Sequence, residues 1–265
     1  MKRTTRAASA LAIAATISMG AATAVMAADP QAPSYSEFKS QTYQDADRQY
    51  IVNGDIPISG EPELRDFYQT LLNQGSTSLI VNQVYGTDDV WSASQAKQLT
   101  YCVSTKFGKD HARVVQEMES GADQWEAASS GVDFIHVASE DGQCTTRNRN
   151  VLFSVEPVKQ ANYIARAFFP SSSDRQRNVL INTSQFFSSG WSPSNVVAHE
   201  LGHTLGFRHE HTRPEAGTCF EDTNWRPLTP YDSASIMHYP QCNGSSADLS
   251  MTDHDREGIR SVYGS

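Results

Sequence analysis

Apolar spacing and cap residues together predict four helices along the chain. The first has Pro62 near its start and Gly75 just past its end, the usual residues at helix boundaries. The third begins at Ser192-Pro193, with a hydroxyl in the N-cap position, and is stopped by Gly206. The predicted helices span residues 61–74, 111–128, 193–205 and 252–262.

Short apolar runs between the helices predict strands. They span residues 78–84, 99–103, 132–137, 151–155, 163–169 and 178–182. Strands that alternate with helices in this order predict a mixed sheet backed by helices, which is an α+β fold. Residues 31–40 are polar and are predicted to be extended, and the polar turn at residues 86–89 marks a candidate domain boundary.

The first 27 residues have the layout of a secretory signal peptide. Three basic residues stand within the first six, small apolar residues follow up to residue 24, and small residues precede a cleavage site after residue 27. A membrane-spanning helix needs about 20 strongly apolar residues, whereas this stretch is rich in Ala, Thr and Ser. We therefore expect a cleaved signal, a secreted protein in an extracellular or periplasmic compartment, and no membrane attachment after cleavage.

Composition and charge narrow the class of partner. The chain has 265 residues, of which 38% are apolar and 19% charged, and this is ordinary globular composition. Loss of residues 1–27 removes three basic residues and no acidic one, which takes the net charge from −9 to −12. Binding to phosphate backbones requires clustered Lys and Arg, and the sequence has no such cluster. Nucleic acid is therefore excluded as a partner.

The four cysteines read as disulfides in an exported protein. They can pair in three ways, and free buried cysteines are the alternative. We favour Cys102 with Cys144 and Cys219 with Cys242, because each pair closes a loop within one half of the chain. Each bridge would add about 3–4 kcal/mol in the chain-entropy account.

A histidine-rich motif, HELGHTLGFRH over residues 199–209, carries the chemistry. His199 and His203 lie four residues apart on a helix, so both imidazoles point the same way and can share one ion. Gly206 can take a positive φ and turn the chain, which returns His209 to the same ion. Three nitrogen ligands leave a fourth position open, as in catalytic zinc sites. A pattern of this length arises by chance in roughly 1 in 50,000 such sequences.

The acidic residue of this motif, Glu200, suits a role in amide hydrolysis. Zinc brings the pKa of bound water near 7, and a carboxylate beside it can take the proton as the oxygen attacks an amide carbonyl. Glu200 is placed for that role, directly after His199. No side-chain nucleophile is then required.

With Ser235-Ile236-Met237-His238-Tyr239 following His209, the motif resembles the metzincin clan and, within it, the astacin-like zinc endopeptidases. The resemblance implies that Met237 lies in a tight turn under the metal. It also implies that Tyr239 is a further zinc ligand, which swings away to hydrogen-bond the oxyanion; a phenol near zinc can act in both ways.

The resemblance also implies a fold: a twisted mixed sheet, two long helices above the cleft, and a small irregular C-terminal subdomain that ends in a helix. Residues 163–169 are the candidate edge strand for an extended substrate. Glu210 matches a family residue that anchors the mature N-terminus, and the alternative is a solvated surface carboxylate. His211 and His238 are expected near the metal or on the surface, not as ligands.

A second segment, Val52-Asn53-Gly54-Asp55-Ile56, resembles the aspartate switch of astacin propeptides, with Val52 where the family has Phe. Asp55 held against zinc would replace the catalytic water, and an ordinary Gly-Asp turn is the alternative. The expected domains are therefore a signal peptide at residues 1–27, a propeptide at residues 28–86 and an astacin-like peptidase domain at residues 87–265.

These features together predict a secreted, monomeric zinc endopeptidase that acts on protein or peptide substrates and is made as a zymogen, with its own propeptide as inhibitor. One catalytic Zn²⁺ is the expected cofactor. Two alternatives remain at this point. One is a secreted zinc-binding relative without activity, and the other is a zinc amidase that acts on cell-wall peptide.

Overall fold

The structure is a computed structural model that describes residues 34–71 and 80–265, with residues 70 and 71 as backbone alone. The described helices are α1 (Tyr35–Gln41), α2 (Glu61–Leu71), α3 (Ala93–Ala96), α4 (His111–Ala128), α5 (Pro193–Thr204) and α6 (Asp253–Tyr263). The described strands are β1 (Tyr43–Gln44), β2 (Tyr50–Val52), β3 (Ile56–Ile58), β4 (Ile80–Val84), β5 (Thr87–Asp88), β6 (Leu99–Val103), β7 (Phe134–His136), β8 (Phe153–Val158), β9 (Ala165–Arg166), β10 (Asn178–Asn182) and β11 (Trp225–Pro227). The predicted signal peptide and the predicted helix end at Gly75 lie outside the described residues.

Five strands form the central sheet, in the spatial order β7-β6-β8-β10-β9. Strands β7, β6, β8 and β10 are parallel to their neighbours, and β9 runs antiparallel to β10 at one edge. Every residue of β10 is buried, which is typical of a strand covered on both faces. The prediction of a mixed sheet backed by helices is confirmed, and the fold is α+β.

Helices α4 and α5 pack against each other in the main core. Trp125 of α4 is fully buried, donates its indole N–H to the Ala198 carbonyl of α5 at 2.7 Å, and stacks on Phe207 at 5.3 Å between ring centroids. Burying a large apolar side chain contributes about 1.5–3 kcal/mol. This contact therefore fixes α5, the helix of the histidine motif, against the body of the domain.

Helix α5 is buried on all sides, because every residue from Val196 to Thr204 is buried. Pro193 occupies the first turn, where a missing N–H costs nothing. Ser192 stands at the N-cap position, but its hydroxyl lies 3.1 Å from Ser194 Oγ and makes no capping bond to the backbone. After the last helical residue, Gly206 has φ of +96° and turns the chain. The predicted bounds of this helix are correct to within one residue.

The segment before the first predicted helix corrects the sequence analysis. Residues 31–40 were expected to be extended, whereas α1 runs from Tyr35 to Gln41. Its start is a complete capping box, in which the Ser34 hydroxyl accepts from Glu37 N–H and the Glu37 carboxylate accepts from Ser34 N–H. The Ser-x-x-Glu capping signal is present in the sequence. The polar residues around it favoured the prediction of an extended segment over that of a helix.

The predicted edge strand is shorter than expected. Residues 163–169 were predicted to form it, but only Ala165 and Arg166 pair with β10. Beyond them Phe168 packs into the core, with its ring centroid 5.5 Å from that of Phe153. Core packing of this aromatic residue therefore replaces continued pairing along the edge.

Both favoured disulfides are present. Cys102 and Cys144 have a Cα–Cα distance of 5.5 Å, and Cys219 and Cys242 have one of 5.7 Å. Both distances fall within the normal range for a bridge. The first bridge ties β6 to the loop after β7, and the second joins the segment after the histidine motif to the segment after Tyr239.

Residues 34–58 form a helix and a small antiparallel sheet in the order β1-β2-β3. The hairpin of β1 and β2 packs on the central sheet, where Ile51 contacts a cluster that includes Tyr163 and Leu180. Strand β4 belongs instead to a separate sheet with β11 and β5. The two regions before residue 87 are therefore attached to different parts of the molecule.

We searched the described helices for a membrane span, and none combines the length and the apolar character that crossing a bilayer requires.

Candidate metal centre

Three histidine rings converge at the C-terminal half of α5. His199 and His203 come from one face of the helix, and the turn at Gly206 brings His209 back to them. The Nε2 atoms of His199 and His209 are 3.3 Å apart, and the ring centroids of His203 and His209 are 4.7 Å apart. All three rings are buried. The predicted trio is thus brought together around one point.

Each ring is oriented by an acceptor on its far side. His199 Nδ1 lies 2.7 Å from the Ile236 carbonyl, and His203 Nδ1 lies 2.8 Å from the Phe207 carbonyl. His209 Nδ1 lies 2.6 Å from Glu221 Oε1. Because these oxygens can only accept, each Nδ1 carries the proton in a neutral ring. With each ring neutral, the Nε2 lone pair would be directed at a metal in the centre.

Asp55 enters the centre from the N-terminal region. Its Oδ2 is 3.3 Å from His199 Nε2, and its Oδ1 is 3.2 Å from His209 Nε2 and 3.6 Å from His203 Nε2. Burial favours a higher pKa for Asp55, but the nearby His209 and His203 rings outweigh burial and hold this pKa well below its usual range. Asp55 therefore lies among the three rings as a carboxylate.

The backbone beside Asp55 admits only glycine. Gly54 has φ of +99°, and a Cβ built there would lie 3.1 Å from Tyr239 Cε2. The Tyr239 hydroxyl donates a hydrogen bond to Asp55 Oδ2, and its ring stacks on His199 with centroids 5.3 Å apart. Burial, followed by the Asp55 carboxylate, raises the pKa of Tyr239 well above its ordinary value. The phenol is thus a proton donor in this arrangement.

Glu200 lies at the edge of the same centre. Its Oε2 is buried and has no hydrogen-bond partner among the described residues. Burial and then the Asp55 carboxylate raise the pKa of Glu200 well above its usual value. A cavity of about 240 Å³ adjoins it. The lining residues are Gly54, Asp55, Asn162, Tyr163, Ile164, Ala165, Gln185, Trp191, Val196, His199, Glu200, Tyr239, Pro240, Gln241 and Leu249.

Met237 lies beneath the histidine helix in a tight turn. Its side chain is fully buried and meets α5 at Gly202. The turn is closed by a hydrogen bond from His238 N–H to the Ser235 carbonyl at 3.0 Å, and Met237 N–H donates to Ser235 Oγ at 3.0 Å. The turn predicted to contain Met237 therefore lies against α5 at Gly202.

The other polar residues of the motif have partners of their own. Glu210 is fully buried, binds Arg213 and accepts from Asp232 N–H at 3.0 Å, so the alternative of a solvated surface carboxylate is wrong. His211 accepts from Tyr239 N–H at 3.2 Å. His238 Nε2 lies 2.8 Å from the Tyr231 hydroxyl. Neither His211 nor His238 joins the group of Asp55, His199, His203 and His209 that can hold an ion.

Comparisons with known proteins agree with this geometry. Residues 90–216 match the matrixin peptidase family. Tolloid-like protein 1 of Homo sapiens is 25% identical over 201 residues, which cover 67% of this chain and 17% of that protein. Zinc metalloproteinase nas-30 of Caenorhabditis elegans is 38% identical over 77 residues, or 21% of this chain and 10% of that protein. The chain is therefore similar to astacin-like metalloproteases.

The chain spans less than a fifth of the length of these two relatives. Among solved structures, that of myroilysin superimposes with a TM-score of 0.49 at 17% identity, and the match covers 70% of this chain and 98% of that one.

Proteases of this family use one catalytic zinc ion, and the four-residue group fits it. Ligand atoms at 2.0–2.1 Å from a tetrahedral zinc are about 3.3 Å apart. The distances between Nε2 and carboxylate oxygens given above are 3.2–3.6 Å. Among the described residues, His203 Nε2 and Asp55 Oδ1 are also buried without hydrogen-bond partners, which a shared cation would resolve. The donor set therefore suits zinc.

Two further residues near the site were missed in the sequence. Glu221 is buried beside His209. Arg166 is fully buried and binds Asp45 and Asp47, far away along the chain. Neither position has a local pattern that marks it, since both act through contacts between distant segments. The Cys219–Cys242 pairing was the one available signal, because it places Glu221 near Tyr239.

Proposed function

We propose that the chain is the precursor of a secreted zinc endopeptidase, blocked by its own N-terminal region. One observation carries this proposal: three buried imidazoles, each oriented through Nδ1, aim Nε2 at one point beside Glu200, whose Oε2 has no partner in the described part of the chain. When bound there, zinc would supply Lewis acidity, which polarises an amide carbonyl and acidifies water. His199, His203 and His209 would hold the ion, and we keep Tyr239 as a further ligand.

The side chains around the centre suit amide hydrolysis. Glu200 can take a proton from the attacking water and pass it to the leaving amine, because its Oε2 has no other partner in the described part of the chain. Tyr239 can donate its phenolic hydrogen bond to the developing oxyanion. The edge strand β9 and the adjoining cavity offer an extended peptide a strand to pair with and room for one side chain. Substrates would thus be proteins or peptides.

Several features support a zymogen. Asp55 occupies the point between the three histidines, where it would compete with the catalytic water. Two disulfides and the predicted signal peptide support export. We also propose that the protein is a monomer. Cleavage after residue 86 would remove strand β4 from the mature protein. Strand β4 is bonded to the histidine motif, because Arg208 N–H donates to the Ile80 carbonyl at 3.0 Å and Asn82 N–H donates to the Gly206 carbonyl at 2.8 Å. We therefore propose cleavage before Ile80, with Glu210 as the candidate anchor of the new N-terminus.

The test is the Glu200→Gln variant in the cleaved protein. Removal of the general base should lower casein hydrolysis about 1,000-fold, while zinc content measured by atomic absorption stays at one ion per chain. Glu119→Gln, at an exposed position on α4, is the matched control and should keep full activity.

Two results would replace the proposal. A cleaved wild type that binds zinc but digests neither casein nor cell-wall peptide would be a non-enzymatic zinc protein. Digestion of wall peptide alone would identify an amidase.

A further inference from the structure

The three candidate metal ligands are not oriented in the same way. His199 and His203 each direct Nδ1 at a backbone carbonyl, whereas His209 directs it at the Glu221 carboxylate, at 2.6 Å. A hydrogen bond to an ionised acceptor is shorter and roughly twice as strong as a neutral one. The carboxylate also draws the Nδ1 proton, which makes Nε2 a more basic donor to a metal.

Glu221 is itself held rigidly. It is fully buried, accepts from Arg208 Nη2 at 2.9 Å, and its N–H donates to Thr212 Oγ1 at 2.9 Å. A buried carboxylate is stable only when it is paired in this way. Arg208 also binds Asp222 through Nη1 at 2.6 Å. Arg208 is thus shared between two carboxylates, and the Glu221 carboxylate stays paired where it meets His209.

The covalent structure keeps Glu221 in place. Cys219, two residues before it, is bridged to Cys242, three residues after Tyr239. The bridge limits movement of the irregular segment that contains Glu221. The same bridge fixes this segment relative to the loop that contains Tyr239.

We infer that Glu221 is the positioning residue of the metal centre: it fixes the ring and the tautomer of His209 and raises the affinity of the site for zinc. This inference rests on the proposed metal site at His199, His203 and His209. Glu221 Oε1 also lies 3.4 Å from His211 Nε2, but among the three candidate ligands it contacts His209, and it would act on the metal through that ring.

The chain offers a matched control for this inference. Glu221 and Asp222 are both buried and both bind Arg208, but of these two only Glu221 contacts His209. Glu221→Gln and Asp222→Asn therefore each remove one of the two carboxylate charges that pair with Arg208. Only Glu221→Gln also changes the hydrogen bond to the candidate ligand His209. A general effect of the buried ion pairs would appear in both variants.

The experiment uses the full-length precursor, and zinc affinity is measured by competition with a chromophoric chelator. Glu221→Gln should weaken zinc binding about 10-fold, within the usual range for the outer partners of metal-bound histidines. The absorption bands of the cobalt(II) form should shift as well. Asp222→Asn should leave both quantities at the wild-type value.

Unchanged zinc affinity in Glu221→Gln, or equal losses in both variants, would overturn the inference. If Glu221→Gln does not fold, Glu221→Asp retains the charge but withdraws the carboxylate by one methylene, and weaker zinc binding is again expected. A wild-type chain that binds no zinc would instead refute the proposed function itself.

Discussion

Position 202 in helix α5 has room for a hydrogen atom and nothing larger. A Cβ built there would lie 2.5 Å from Met237 Sδ and 3.0 Å from Trp125 Cζ2. Both of these side chains are fully buried and cannot move aside into solvent. Because Gly202 directly precedes His203, any displacement at this contact would reach a candidate metal ligand.

We therefore expect Gly202→Ala to lower the free energy of unfolding by about 1–3 kcal/mol, the usual cost of overpacking a core. Alanine favours helix over glycine by about 1 kcal/mol, but this gain does not relieve the contact with Met237. Equilibrium urea unfolding with the disulfides intact measures the change. Gly142→Ala is the control, since a Cβ there meets no atom within 4 Å. Equal midpoints for the two variants would contradict this account.

Whether a site residue could be predicted from the sequence depends on the sequence separation between that residue and its contacts. His199, His203 and His209 lie within one helix and one turn, so helix geometry and the glycine at position 206 are enough to bring them together. Glu221 orients His209 across 12 residues of irregular chain, and Arg166 binds Asp45 across 121 residues. No local periodicity encodes such contacts, and they emerge only when the segments pack.

Helix α6 and the turn that contains Met237 share one carboxylate. Asp255 completes the capping box of α6, where it accepts from Thr252 N–H at 2.8 Å. It also accepts from Ser235 Oγ at 2.5 Å and from Ile236 N–H at 2.9 Å, both in the turn. The N-terminus of α6 therefore fixes the turn that contains Met237, next to the metal centre.

Asp255→Ala should lower the free energy of unfolding by about 3 kcal/mol, because it leaves several buried donors without a partner at about 1–3 kcal/mol each. Thermal unfolding followed by calorimetry measures the loss. Asp253→Ala removes an exposed acid from the same first helical turn and should cost about 0.3–1 kcal/mol through the helix dipole alone. If both variants lose the same amount, Asp255 acts only as a helix cap.

Elements with strong local signals were predicted best. The bounds of β6, β10 and α4 match the predicted ranges, because apolar patterning and tertiary packing agree there. Strand β9 is much shorter than the predicted run, since Phe168 leaves the sheet edge for the core. The small sheet of β1, β2 and β3 was not predicted, because strands of two or three residues carry too few positions for a period to be seen.

On the scale of the whole molecule, the described N-terminal residues 34–71 contact the rest of the protein at the metal centre and at the hairpin of β1 and β2, among other places. Asp55 lies among the three histidines, and the hairpin of β1 and β2 is fastened through Arg166. The guanidinium binds Asp45 Oδ2 at 2.8 Å and Asp47 Oδ2 at 2.9 Å, and Asn178 also donates to Asp47 at 2.9 Å. Arg166 and the Asp45 carboxylate are fully buried. A buried charge that loses its partner costs several kcal/mol.

If the chain is a zymogen, as proposed, the hairpin should help to keep the uncleaved form inactive. A double variant, Asp45→Asn with Asp47→Asn, weakens the attachment by about 2 kcal/mol, which corresponds to about 30-fold more of the open form. The expected result is a rise of similar size in the peptidase activity of the uncleaved chain, with a larger rise in Asp55→Ala. Initial rates are measured on a fluorogenic peptide, and N-terminal sequencing confirms that the chain is intact.

These substitutions lie in the segment that activation would remove, so all variants should give the same mature protein. Equal activity after cleavage therefore separates a loss of inhibition from damage to the catalytic domain. Asp66→Asn, an exposed position on α2 of the same segment, is the control and should be as inactive as the wild-type precursor. If the double variant is equally inactive, Asp55 alone accounts for the inhibition, and the buried Arg166 pairs serve only to hold the hairpin.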